Sequence, residues 1–158
     1  MEQIMENNRL NIVIELRPVT AENFHECINL KTKDDQKYFC ASNLYSIAES
    51  KVEALAIPMC IYANEVMVGF ILYGPENSEN GMYMSIDRFM IDQRFQGKGY
   101  GKLALEKLVE TIKKNYAYKE IYLSYVPENI IAERLYIGFG FEKTGEFSGN
   151  ECIAVLKL

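Results

Sequence analysis

The spacing of apolar and polar positions changes period several times along this chain of 158 residues, and each change marks an element. Asn11 to Arg17 is rich in β-branched residues and stops at Pro18, which predicts a first strand. Thr20 offers an N-cap for a helix from about Ala21 to Leu30. Lys31 to Lys37 is polar and turn-like. Ser42 to Ala56 then carries Leu44, Ile47, Ala48, Val52 and Leu55 at a helical spacing, so a second helix is expected there. Pro58 to Ala63 and Val66 to Tyr73 read as strands joined at Asn64-Glu65, a connection short enough for a hairpin. Gly74 to Gly81 reads as a loop.

Met82 to Asp92 predicts a strand that runs directly into Gln96-Gly97-Lys98-Gly99-Tyr100-Gly101, behind which a helix begins. Leu105, Leu108, Val109 and Ile112 form its apolar stripe, with Lys102, Glu106, Lys107, Glu110, Lys113 and Lys114 elsewhere on its surface. Lys119 to Val126 is a further strand, Asn129 to Ile137 a short helix, and Phe139 to Gly145 and Glu151 to Leu158 two closing strands. Strands and helices interleave without repeat or linker, which predicts a single α+β domain on one mixed sheet. Disorder is expected only at the amino end, Met1 to Asn8.

Composition narrows the class. Apolar residues make up 49% and charged residues 25%, the balance of a folded domain. The net charge of -5 sets a field that repels nucleic acid and anionic membrane, so neither is an expected partner, and it favours cationic ones. Cys27, Cys40, Cys60 and Cys152 are scattered, with no paired spacing and no neighbouring histidine. They read as reduced core thiols, and no metal is expected. The first residues lack a basic start and an apolar stretch, and no apolar run approaches the roughly 20 residues that span a bilayer. A cytoplasmic location is the expectation.

The chemistry concentrates at the glycine-rich junction. Glycine lets the backbone approach a ligand closely, and a helix N-terminus presents unpaired N–H groups to an anion, so a phosphate or pyrophosphate is the natural occupant. A dinucleotide fingerprint would need a glycine three residues after Gly99, where Lys102 stands. A phosphate-binding loop of the Walker type would need Ser or Thr after Lys102, where Leu103 stands.

Gln96-Gly97-Lys98-Gly99-Tyr100-Gly101 does match the Q/R-x-x-G-x-G/A pattern of the GNAT acetyltransferases. Asn129-Ile-Ile-Ala132-Glu-Arg-Leu135-Tyr136-Ile-Gly-Phe-Gly140-Phe141 resembles their second signature, N-x-x-A-x-x-L-Y-x-x-x-G-F, in the expected order and at the expected distance. The resemblance runs from about Arg17 to Leu158. It implies the GNAT acyl-CoA N-acyltransferase fold, a central mixed, mostly antiparallel sheet flanked by helices, with acetyl-CoA as co-substrate. It further implies that backbone groups of Phe89 and Ile91 bind the pantetheine and the thioester carbonyl. Gln96, Gly97, Lys98, Gly99, Gly101 and Lys102 would hold the pyrophosphate, and Asn129 and Tyr136 would face the far side of the pantetheine. Members of the family are often dimers, so a homodimer is an expectation.

When an amine attacks a thioester, a thiolate leaves, and a phenol with a pKa of about 10 is suited to protonate it. Tyr136, at the family's acid position, is the candidate general acid; its alternative is an aromatic on the packed face of a short helix. The attacking amine, with a pKa of about 10.4, is neutral in only roughly one molecule in a few thousand at pH 7, so a base should help. His25 has no motif around it and reads as surface or packing. Asp87 is the better candidate base, because strand periodicity puts it on one face with Phe89 and Ile91; its alternative is a strand-end carboxylate paired with a basic residue.

Within the family, Ile86 to Gly99 looks like the central segment of the bacterial spermine/spermidine (diamine) N-acetyltransferases. Ile121-Tyr122-Leu123-Ser124 and Gly140 to Glu146 look like their later strands. A polyamine needs carboxylates spaced along a groove and aromatic faces over its methylenes. Asp34, Asp35, Glu49 and Glu53, with Tyr38, Tyr45 and Tyr73, are the nearby candidates, and Glu49, Tyr38, Tyr73 and Asp87 are the substrate-site expectation. A solvated acidic helix face explains Glu49 and Glu53 as well. Acetylation of an aminoglycoside, another small amine or a peptide amine remains open, as does a catalytically silent acyl-CoA-binding regulator.

Overall fold

The elements follow one another as β1 (Ile14–Pro18), α1 (Phe24–Asn29), a 3-10 turn (Asp34–Gln36), α2 (Asn43–Glu49), β2 (Ile57–Ala63), β3 (Val66–Ser78), β4 (Gly81–Ile91), α3 (Tyr100–Asn115), β5 (Glu120–Tyr125), α4 (Ile130–Phe139), β6 (Glu142–Ser148) and β7 (Glu151–Lys157). This is a computed structural model in which residues 11–158 are described; the expected disorder of residues 1–8 lies outside them. The strands form one sheet in the order β1-β2-β3-β4-β5-β7-β6. Every pairing is antiparallel except β4 with β5, so the sheet is mixed and mostly antiparallel, as expected.

The parallel pair requires a crossover, and α3 supplies it. Its stripe of Ala104, Leu105, Leu108 and Ile112 is fully buried against Ile71, Met84, Ile121 and Ala154. Tyr136 and Phe141 join the same core from α4 and the turn after it. A second core on the opposite face packs Cys27 and Leu30 of the α1 region and Ile47 of α2 on Cys60, Phe70, Leu72 and Met90. α1 and α2 thus cover the β2–β3 half of that face. The half made by β4, β5 and β7 is the open floor of a groove.

Four expectations change. The stretch from Gly74 to Ser78 is strand, not loop, pairing through Ser78 with Gly81. Gly74 and Pro75 suggested a break, but β2 ends opposite Tyr73, so Pro75 sits where β3 lacks a neighbour on one side and a missing N–H costs little. The second helix spans only Asn43–Glu49, capped by Ser42, whose Oγ accepts from the Tyr45 N–H at 3.1 Å. Its buried face is Asn43, Ser46 and Ile47, while Leu44, Val52 and Leu55 are exposed. Asn43 tolerates burial because its Nδ2 donates to the Cys27 carbonyl at 2.9 Å. The first helix starts at Phe24, because Asn23 rather than Thr20 is its N-cap. The sixth strand starts at Glu142, since Phe139 ends α4 and Gly140 turns the chain with φ +124°.

Candidate active site

β4 and β5 lie side by side only where Met84–Ile86 pair with Ile121–Leu123. Beyond Ile86, β4 stays paired to β3 as far as Ile91, while β5 gives it no further partner. The sheet therefore opens between them, and a groove of about 1190 Å³ runs through the gap. Strand-edge N–H and C=O groups left without a ladder partner are available to amides of a ligand. Phe89, Ile91, Gln96, Gly97, Gly99, Gly101, Lys102, Asn129 and Tyr136 all line the groove.

The glycine turn closes one end. Gly97 and Gly99 have φ of +76° and +86°, a region that side-chain-bearing residues seldom adopt. Gly101 serves closeness instead: a Cβ there would stand 3.2 Å from Leu135 Cδ2, so it sets the approach of α3 to α4. Gly99 caps α3 without any side-chain hydrogen bond, which leaves the first-turn N–H groups facing outward with the positive end of the helix dipole. Gln96 fixes the turn to the strand, donating from Nε2 to the Ile91 carbonyl at 2.9 Å and exchanging amide hydrogen bonds with Gln36 at 2.8 and 3.1 Å.

Asp92, buried just before the turn, accepts from the Lys31 N–H at 2.9 Å and from Arg94 Nε at 2.7 Å. Burial acts to raise this carboxyl, but the Arg94 side chain and the two backbone N–H groups outweigh it and hold it below its ordinary range. Free N–H groups, two left-handed glycines and Lys102 make a donor set that fits a pyrophosphate. Lys98 lies exposed outside the lining, its Nζ 5.7 Å from the Phe95 ring centroid. Asn129 spends its Oδ1 on the N–H of Ala132, at 3.2 Å, capping α4 at the rim of the groove.

Tyr136 stands in an aromatic cage, its ring centroid 6.4 Å from Phe89, 5.8 Å from Tyr125 and 5.9 Å from Phe141. Burial, then the neighbouring Cys40 and Tyr125, push its phenol well above the ordinary range, so it stays protonated at neutral pH.

Asp87 lines the groove, but not on the face that alternation implies. A bulge sets Tyr73 opposite Ile86 and Leu72 opposite Arg88, which leaves Asp87 as the extra residue. Phe89 and Ile91 return to the α3 core with Ile86, whereas Asp87 accepts from Ser85 Oγ at 2.7 Å. Burial raises its carboxyl above the ordinary range, the Ser85 hydroxyl works against that, and nearby Glu76 adds to it.

Around Asp87 the open floor carries residues that sequence reasoning missed. Tyr83 Oη donates to Glu76 at 2.7 Å, Tyr122 Oη to Glu120 at 3.0 Å, and Ser124 Oγ to Glu151 at 2.7 Å. With Ser85 and Asp87 these are four hydroxyl–carboxylate pairs on one face of β3, β4, β5 and β7, and all line the groove. Two alternations, Tyr83-x-Ser85 and Glu120-x-Tyr122-x-Ser124, were the signal available in the sequence.

The other expected substrate residues are dispersed. Tyr38 reaches the groove rim and is largely exposed. Tyr73 is buried in the α3 core, because alternation along β3 puts it on the same face as Ile71. Glu49 is bound to Arg88 Nη2 at 3.2 Å and is not among the lining residues. Asp34, Asp35, Tyr45 and Glu53 lie outside the lining, and His25 is exposed beside Phe24. Among the thiols expected in the core, Cys27 and Cys60 are there, fully buried, but Cys40 lines the groove.

Residues 19–141 match the acetyltransferase (GNAT) family. The chain is 35% identical over 142 residues to a spermine/spermidine N(1)-acetyltransferase of Bacillus subtilis (strain 168), covering 87% of this chain and 93% of that protein. A domain from Methanocaldococcus jannaschii superposes with a TM-score of 0.73 at 19% identity, covering 94% of this chain and all of that one. An N-acetyltransferase, PaiA, from Thermoplasma acidophilum, solved in complex with coenzyme A, superposes with a TM-score of 0.66 at 18% identity over 92% of this chain and 99% of that one. These superpositions establish the fold.

Proposed function

The chain belongs to the acetyltransferase (GNAT) family, and from that premise we propose that it transfers an acetyl group from acetyl-CoA to a primary amine of a polyamine of the spermine/spermidine class. The observation that carries this reading is the floor of the groove, where four carboxylates from four strands are each held by a hydroxyl. A hydroxyl donor fixes a carboxylate without neutralising it, so the floor keeps its negative charge and offers aromatic faces at Tyr83 and Tyr122 between the charges. Those are the needs of a flexible multiple cation. The spermine/spermidine N(1)-acetyltransferase to which the chain is similar supports the same acceptor class.

Acetyl-CoA supplies the acetyl group as an activated thioester. The α3 N-terminus, Gly97, Gly99 and Lys102 would hold its pyrophosphate, and the unpaired β4 edge at Phe89 and Ile91 its pantetheine. Tyr136 holds the proton for the departing thiolate. Its raised pKa keeps the phenol protonated, and the proton in place, at neutral pH. Asp87 draws the proton from the attacking ammonium, directly or through water, and its raised pKa brings it nearer the working range of a general base. Pairing of two copies and a location inside the cell belong to the same proposal, the first from the habit of the family.

A thiol-release assay with acetyl-CoA and a panel of spermine, spermidine, putrescine, an aminoglycoside and a lysine-bearing peptide tests the reading. The expected result is the highest kcat/KM for spermine or spermidine. Turnover confined to another acceptor keeps the transfer chemistry and removes the polyamine, and no turnover with any amine removes the enzyme reading.

A further inference from the structure

Cys40 is the one thiol among the lining residues of the groove, placed where β4 parts from β5. It lies beside the Phe89 backbone, the Arg88 side chain and Tyr136. Two further polar groups at this spot lack protein partners among the described residues. Tyr125, 4% exposed and lining the groove beside Tyr136, has its Oη buried without a hydrogen-bond partner, and Arg88 Nε is buried without an acceptor. Buried polar groups of this kind ask for a ligand atom.

On the reading of the groove as a coenzyme A site, on which this inference rests, the sulfur end of that molecule reaches the same spot. We propose that Cys40 is a thiol–disulfide exchange site for coenzyme A disulfide, and that the mixed disulfide closes the groove reversibly. In the exchange the Cys40 thiol gives up its proton and attacks one sulfur of coenzyme A disulfide. That S–S bond breaks, a bond forms between Cys40 and the attacked sulfur, and the expelled coenzyme A thiolate takes up the proton. One disulfide is consumed and one is formed, so no further oxidant is needed, and an added thiol reverses the step.

Selectivity comes from placement. Burial pushes the Cys40 thiol up, against the pull of Arg88 and the Phe89 N–H, so a disulfide met at random reacts slowly. A disulfide whose nucleotide end docks at the glycine turn presents its sulfur at a high effective concentration. Cys27 and Cys60 are fully buried, and Cys152 lies outside the groove lining.

The test exposes the full chain and its Cys40→Ser variant to coenzyme A disulfide or to glutathione disulfide at equal concentration, with intact mass, peptide mapping and amine acetylation as readouts. Calorimetry of the parent chain with reduced coenzyme A is run alongside. The expected result is one coenzyme A moiety per parent chain, mapped to Cys40, formed at least about 10-fold faster than the glutathione adduct. Acetylation is lost with it and restored by dithiothreitol, and Cys40→Ser forms no adduct. A parent chain that binds reduced coenzyme A yet forms no adduct, forms it on Cys152, or reacts equally with glutathione disulfide overturns the proposal while leaving the site reading intact. A parent chain that does not bind coenzyme A overturns both.

Discussion

The two ends of the groove are built by different means. The glycine turn and the start of α3 present backbone N–H groups, set by φ values that only a few positions determine. The floor opposite presents side chains, Glu76, Asp87, Glu120 and Glu151, brought together from four strands by pairing and by one bulge. Backbone recognition is all-or-none, because one misfit residue displaces every N–H at once. Side-chain recognition is graded, because each carboxylate acts almost alone.

The sharpest way to break the comparison is at Gly99. Its φ of +86° excludes a β-branched residue, so Gly99→Val should abolish measurable coenzyme A binding in a chain that still folds, read by calorimetry and circular dichroism. Normal affinity would remove the turn from the site. Next in size is Tyr136→Phe, for which kcat should fall about 10²-fold, the scale of one general acid, while coenzyme A affinity is kept. An unchanged kcat means the phenol is only packing.

On the floor the effects should be smaller and confined to the acceptor. Glu76→Gln or Glu120→Gln should each raise KM for spermidine about 2–5-fold, the weight of one partly exposed charge contact, with KM for acetyl-CoA unmoved. A shift in the acetyl-CoA value would show that the two ends are not separate.

Asp87→Asn is the subtlest case, because its signs differ for activity and for stability. Without this carboxylate more free amine is needed, so the acidic limb of the pH–rate profile should move upward. A carboxyl whose pKa is raised in the fold binds its proton more tightly there than in the unfolded chain, so folding stability falls as pH rises from the ordinary Asp range through the raised value. Asp87→Asn should therefore gain stability relative to the parent above that window and lose the advantage below it, read by chemical denaturation at several pH values. A difference independent of pH would contradict the burial argument.

The same contrast decides what was legible in the sequence. The proposed cofactor end is local: Gln96 to Gly101 and Asn129 to Phe141 are contiguous, so their residue types carry the geometry with them. The floor is not. Glu76 was hidden because Gly74-Pro75 resembles a break, and only the length of β2 makes Pro75 tolerable in a strand. The bulge at Asp87 is a slip of one residue, which no periodicity announces, and it moved Phe89 and Ile91 to the α3 core while Asp87 kept the face of Ser85. Glu49 was picked for its charge, yet Arg88, on the third strand after α2, claims it. Helical spacing at Leu44, Val52 and Leu55 was real but led to a short helix, since Ser42 and the turns after Glu49 bound it on both sides.

The division of the groove is tested most directly by one variant in which Glu76, Glu120 and Glu151 become Gln and Asp87 becomes Asn, with coenzyme A affinity and spermidine kcat/KM measured on the same preparation. The expected result is a coenzyme A Kd within about twofold of the parent and a spermidine kcat/KM reduced by about 10²-fold or more, as four charge contacts of about 0.5–1 kcal/mol combine. Equal losses in both quantities, or no loss in the second, would contradict a backbone-built cofactor end joined to a carboxylate-built acceptor floor.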